Sequence, residues 1–223
     1  MGFPSLFVRK MRWSLTAWGY LFFISPVLIA LYFSFFYLHP FLATDQTVQG
    51  EVLVVDGWLS DSSLQEAAVF FNQGNYQYLI VTGGPISRGS YLSPYKTYAE
   101  LGAATLRGIG FEKNKLYLSI PAPVIKDRTF ATALSVKETI KSLPAPVSAI
   151  DVYTEGIHAR RSLMLYELAF GDALRIGVTS AETKHYDAQE WWKSSAGVRQ
   201  VINESIAYLY ARFIFTPPLT AES

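Results

Sequence analysis

His158 and Arg161 stand three residues apart in "YTEGIHARRSLMLYELAFG", residues Tyr153 to Gly171, which looks like an amphipathic helix following an apolar, strand-like run. On a helix beginning near Gly156 they share a face, whereas Arg160 points elsewhere. Both fall in the first turn, where free backbone N–H groups and the helix dipole favour an anion and disfavour cations. An anionic ligand would offset that local cost. The competing reading is a solvated helix start in which Glu155 pairs with an arginine.

Other residues could join them. "DRT", Asp127 to Thr129, precedes a helical stretch and offers Thr129 as an N-cap. Capping does not account for the charged Asp127–Arg128 pair, which can reach the same crevice. Gly83 and Gly84 follow a strand and either let backbone approach a ligand or make a turn with positive φ, the simpler reading. Asp56 and Gly57 end another strand. The candidates are therefore Asp56, Asp127 and His158 for acid–base work, and Gly57, Gly83, Gly84, Arg128, Thr129, His158 and Arg161 for ligand binding.

Asp56, Asp61 and Asp127 would suit a hard cation, but without a specific spacing. There is no cysteine, and of three histidines His39 lies in the apolar N-terminal run, so a structural zinc site is not expected. Neither GxGxxG nor GxxxxGK[ST] occurs, nor a GxSxG elbow. A net charge of +1 gives no electrostatic footprint for nucleic acid. These residues imply no particular cofactor.

The elements that must hold these residues follow from the hydrophobic pattern. From Ser14 to Ala43 there is no Asp, Glu, Lys or Arg. Such a run exceeds the roughly 20 residues that cross a bilayer. Trp13, Trp18, Tyr20 and Tyr37 suit the headgroup level; Arg9, Lys10 and Arg12 precede the run, and Asp45 and Glu51 are the first charges after it. The positive-inside rule leaves the N-terminus cytoplasmic and the rest across the inner membrane. A cleaved signal peptide shares the basic start, but its apolar region is about 7–15 residues and "PFLATDQ" is a poor cleavage site.

Beyond the polar linker 44–50, strand-like runs ("EVLVVDG", "YQYLIVTGG", "KLYLSI", "SAIDVYT", "ALRIGVTS") alternate with helical stretches, the last from about Gly197 to Phe215. Strict alternation with apolar strands predicts a three-layer α/β/α sandwich around a mostly parallel sheet of about five strands. Ligands in such folds sit outside the carboxyl ends of the strands. The loops there carry the candidates above together with Arg88, Glu155, His185 and Asp187. The expected organisation is a basic cytoplasmic segment 1–13, a transmembrane anchor 14–43, the linker, an α/β domain 51–215 and a tail 216–223. Of Trp191 and Trp192, one should pack in the core.

"VVDG", "NYQYLIVTGG", "DRTFATA" and "IHARRSL" together resemble the DUF218 family, the envelope-factor group that includes SanA, ElyC and YdcF. The likeness covers about Glu51 to Ser180. His158, Arg161 and Ser162 fit a family pattern of histidine, arginine three residues on, then a small residue. Ser63 stands where the family commonly has arginine, and only Thr129 survives of an Asn-Thr-x-Glu-Asn run. The resemblance implies a Rossmann-like domain, often tethered by an N-terminal membrane helix and facing the periplasm, with roles in envelope and peptidoglycan biogenesis. The function expected is binding of an anionic, phosphate-bearing envelope precursor or lipid carrier. Alternatives are a non-catalytic scaffold or recruitment module, or S-adenosylmethionine binding as linked with some members.

Overall fold

The computed structural model describes residues 11–87 and 91–218; Arg9, Lys10 and Arg88 lie outside them. The chain divides between Tyr37 and Leu38 into two compact units. The first carries most of helix α1, Ala17–Leu42. A helix apolar all round needs burial or a membrane. Leu21, Phe22, Val27, Leu28 and Phe33 are all exposed, and α1 is long and apolar enough to cross a bilayer.

The second unit alternates β1 (Val52–Asp56), α2 (Asp61–Gln73), β2 (Tyr78–Thr82), α3 (Tyr98–Gly108), β3 (Leu116–Ser119), α4 (Arg128–Lys141), β4 (Ala149–Glu155), α5 (Ala159–Phe170), β5 (Arg175–Ala181) and α6 (Ser195–Phe213). Its five strands are all parallel, in the order β3-β2-β1-β4-β5. The two-residue period of a strand divides the core cleanly. Val52 and Val54 pack with Phe130, Ala133, Leu163 and Tyr166 of α4 and α5. Leu53 and Val55 pack with Leu64, Phe71, Ala103 and Leu106 of α2 and α3. Both faces are covered, which is why β1 reads as an unbroken apolar run.

The strand order reverses at β1. The chain winds outward through β2 and β3, then returns to lay β4 and β5 on the other side. The carboxyl ends of β1 and β4 therefore flank the topological switch point, where such sheets leave a crevice. Asp56 ends β1, and the segment carrying His158 and Arg161 follows β4.

The stretch 44–50 is ordered rather than a free linker. Gln46 exchanges backbone hydrogen bonds with Val178 on β5, at 2.8 and 3.0 Å. The buried Asp151 carboxylate accepts from Val48 N–H at 2.8 Å, Gly50 N–H at 3.0 Å and the Tyr76 hydroxyl at 2.9 Å. Asp151 sits inside the apolar strand β4, and these three donors are what allow it to be there. Gly177 is required by the close approach: a Cβ there would meet Asp151 Oδ1 at 2.0 Å and Val48 N at 2.7 Å.

Several local expectations change. Thr129 is not an N-cap: α4 begins at Arg128, its cap is Asp127 in the left-handed region at φ 58°, and the Thr129 hydroxyl is free for another partner. The helix placed near Gly156 begins as a 3-10 turn, Gly156–His158, before α5 proper. His39 is not in a lipid-facing stretch: it is buried in the last turn of α1, which belongs to the globular unit, with the Tyr186 hydroxyl 3.3 Å from its Nε2. Trp191 packs in the core with Leu42, Ile157 and Val201. It stands on a 3-10 turn with Trp192, and α6 starts at Ser195 behind a Ser194 cap.

Candidate functional site

Asp56 occupies the floor of the crevice. Its Oδ2 accepts from Thr154 Oγ1 at 2.6 Å across the β1–β4 pair, and the residue is buried. Burial raises its carboxyl above the ordinary value, against the lowering influence of His158, the Thr154 hydrogen bond and Arg161. A carboxyl tuned upward at a strand end is a group suited to proton transfer. Beside it the Tyr166 hydroxyl is buried and has no hydrogen-bond partner; burial, then the Asp56 charge, holds it well above its usual range.

The 3-10 turn and first turn of α5 bring His158 and Arg161 to one face. There Arg161 meets a residue from α6, Glu204. Nε donates to Glu204 Oε1 at 2.6 Å and Nη2 to Oε2 at 2.9 Å, a two-point carboxylate pairing. Nη1 donates to Thr129 Oγ1 at 3.1 Å, so the threonine released from capping holds the guanidinium. Nη2 also approaches His158 Nδ1 at 2.9 Å. Nδ1 also lies 3.4 Å from Glu204 Oε2, so the same ring nitrogen faces both members of the ion pair, and its role towards each depends on the tautomer. Burial alone would raise the Glu204 carboxyl, but hydrogen bonds and charge from His158 and Arg161 bring it down to about 2.

These groups wall a cleft of about 730 Å³. Asp56, Gly83, Gly84, Asp127, Arg128, Thr129, His158 and Arg161 all line it. Gly57 does not: it lies against α3, where a Cβ would meet the Tyr98 carbonyl oxygen at 2.3 Å. Gly83 is similarly pressed against α3, its Cβ position 2.7 Å from Tyr98 Cβ, whereas Gly84 has nothing nearer than Pro121 at 3.8 Å and leaves the wall open. Trp58 stands edge-on to His158, ring centroids 5.8 Å apart, and α6 closes the far side with Ala207, Tyr210 and Ala211.

The charge distribution differs from what spacing alone suggests. Arg161 is neutralised by Glu204, while Lys126 and Arg128 at the mouth are exposed and make no ion pair among the described residues. The free cations of the cleft are thus these two, beside the first backbone N–H groups of α4, which no side chain caps. Asp127 stands between them. Glu155 does not pair with an arginine; it takes the Thr183 hydroxyl at 3.3 Å and lies 3.7 Å from His185. Arg160 turns away to donate to the Phe41 carbonyl and lies over the Phe41 ring, 4.0 Å from its centroid. Asp56, Asp61 and Asp127 are not gathered: among the described residues no group of three His, Asp or Glu could hold a metal.

Sequence reasoning passes over Glu204, Thr154, Trp58 and Lys126. Glu204 carried one signal, an acidic residue at i+3 from Val201 and i−4 from Tyr208 on the inward face of the last helix. No protein-family model matches the sequence and no curated protein matches it.

Proposed function

We propose that this chain is a membrane-anchored, DUF218-like protein of the bacterial cell envelope that binds a phosphate-bearing precursor or lipid carrier in the cleft at the β1–β4 switch point. The observation that carries the reading is the pairing of a buried Asp56 on the cleft floor, its carboxyl raised by burial, with Lys126 and Arg128 at the mouth, which make no ion pair among the described residues. A phosphate would be gripped at the mouth by the two cations and the N-terminus of α4. His158 and Asp56 would supply the acid and base for a reaction at an adjacent bond. Arg161 and Glu204 hold His158 in place. Anchoring rests on α1, and a periplasmic domain follows from the basic N-terminal flank.

The test uses the full-length protein purified in mild detergent, with mass spectrometry of co-purifying lipids and small molecules. A phosphate-bearing species should be enriched. Each charge-assisted hydrogen bond is worth about 1.5–3 kcal/mol, so Lys126→Ala with Arg128→Ala should lower its occupancy at least about tenfold. Asp56→Asn should keep occupancy and abolish any turnover of the recovered species. Unchanged occupancy in the double variant, or a co-purifying ligand without phosphate, defeats the proposal. Binding with no turnover in the native protein selects a recruiting module over an enzyme.

A further inference from the structure

A second hollow, of about 330 Å³, opens beside the cleft at the carboxyl ends of β4 and β5. Trp58, Glu155, Thr183, Tyr186, Gln200 and Asn203 line it. Gln200 and Asn203 are three apart on α6 and share a face with Ala207, four residues further on. Asn is a weak helix former, yet Asn203 stands in the middle of this 19-residue helix. Neither amide side chain makes a hydrogen bond among the described residues, and each offers two donors and an acceptor. Glu155 adds acceptors from the end of β4, beside the Thr183 hydroxyl that it takes at 3.3 Å. Among the described residues no lysine or arginine lines the hollow, and the charge of Glu204 on its wall is met by Arg161.

These groups select a ligand by what they reject and what they match. An anion would meet carboxylates and no cation, so a phosphate belongs at the cleft mouth instead. A purely apolar group would cut the amides and Glu155 off from water without replacing its hydrogen bonds. A neutral ring bearing several adjacent hydroxyls suits both constraints. Each hydroxyl can donate to a carboxylate or amide oxygen and accept from an amide N–H, while the rings of Trp58 and Tyr186 cover the C–H surface. The volume lies at the small end of the roughly 300–1,000 Å³ of ligand sites, which suits one such ring. Trp58, His158 and Ala207 line the hollow and the cleft alike, so the two cavities share a wall. We infer that the hollow is a subsite for a single neutral sugar ring, and that the ligand of the cleft is a glycosyl phosphate, its sugar beyond Trp58 and the bond joining sugar to phosphate passing His158. Naming the ligand in this way rests on the phosphate reading of the cleft; the sugar subsite rests on its own residues.

The probes are the anomeric phosphates of glucose, galactose and mannose, with ethyl phosphate as a monoester lacking the ring and the methyl glycosides as rings lacking phosphate. Ligand-observed NMR on the full-length protein in mild detergent gives the dissociation constant of each. A neutral hydrogen bond is worth a few-fold in affinity, so at least one sugar phosphate should bind about tenfold more tightly than ethyl phosphate. Gln200→Ala with Asn203→Ala should erase that margin and leave ethyl phosphate binding as in the native protein, which also reports that the variant is folded. Equal affinity for every phosphate, or a margin that survives the double substitution, overturns the inference and leaves the phosphate reading intact. Adenylate binding more tightly than every sugar phosphate, with the excess lost in the double variant, overturns it in favour of a nucleoside. Methyl glycosides that bind through Gln200 and Asn203, with no binding of any phosphate, uphold the sugar subsite and defeat the phosphate reading. No binding of any probe overturns both.

Discussion

Replacing Glu204 by glutamine keeps the side chain's shape and removes the charge opposite Arg161. Its carboxyl falls from 4.5 to about 2, with side-chain exposures of 12% for Glu204 and 19% for Arg161. A drop of that size in the folded state corresponds to about 3 kcal/mol of stability, in line with the ~3–5 kcal/mol lost when one partner of a buried pair is removed. At roughly 2–4 °C per kcal/mol for a domain of this size, Glu204→Gln should lower Tm by about 6–12 °C at pH 7. The sign with pH is fixed. A carboxyl depressed by folding contributes fully above its unfolded value of 4.5, and the contribution disappears as pH falls towards about 2. The native protein should lose this increment across that window and the variant should not, so their stabilities converge at low pH. Thermal unfolding of the full-length protein in detergent, followed by tryptophan fluorescence, reads both effects. Arg161→Met combined with Glu204→Met should recover more than half the loss, since an apolar pair leaves no buried charge uncompensated. A drop under about 2 °C, the size expected of an exposed pair, or stability curves that stay parallel to low pH, would refute the reasoning.

Two other substitutions probe the supports of the site. Gly177→Ala pushes a methyl into the Asp151 carboxylate, 2.0 Å away, and the Val48 N–H; it should destabilise by about 2–4 kcal/mol and expose residues 44–50 to limited proteolysis, whereas an unchanged cleavage pattern would remove Asp151 as the clamp. Thr129→Val removes the 3.1 Å hydrogen bond from Arg161 Nη1 and should cost about 1–2 kcal/mol without loss of helix content by circular dichroism; a loss of helix content would return the threonine to a capping role.

The alternation of runs such as "EVLVVDG" and "SSLQEAAVFFNQG" made the parallel sheet legible, because a strand buried on both faces must be apolar throughout and its crossover helix on one face only. The three-residue spacing of His158 and Arg161 was legible for the same reason: helical geometry is local. Glu204 was not, since its partner is 43 residues away and only folding decides which inward residue of α6 meets α5. Asp151 was overlooked although it left a mark, a carboxylate inside an apolar strand, which could be buried only if donors came to it. Thr129 misled because capping propensity is a local rule, and Asp127 took the cap by entering the left-handed region, a choice made by the loop and the cleft.

The clamp at Asp151 also decides where the domain begins. Seven loose residues at 44–50 would span roughly 15 Å between their ends, on the 5–6 Å × √n scaling of a loose chain. Here Gln46 is paired to Val178 and the amides of Val48 and Gly50 to Asp151, so the segment has no slack. It behaves as a rim of the sheet: it can peel away only by leaving a buried carboxylate without its donors, so this edge opens no more easily than the core behind it.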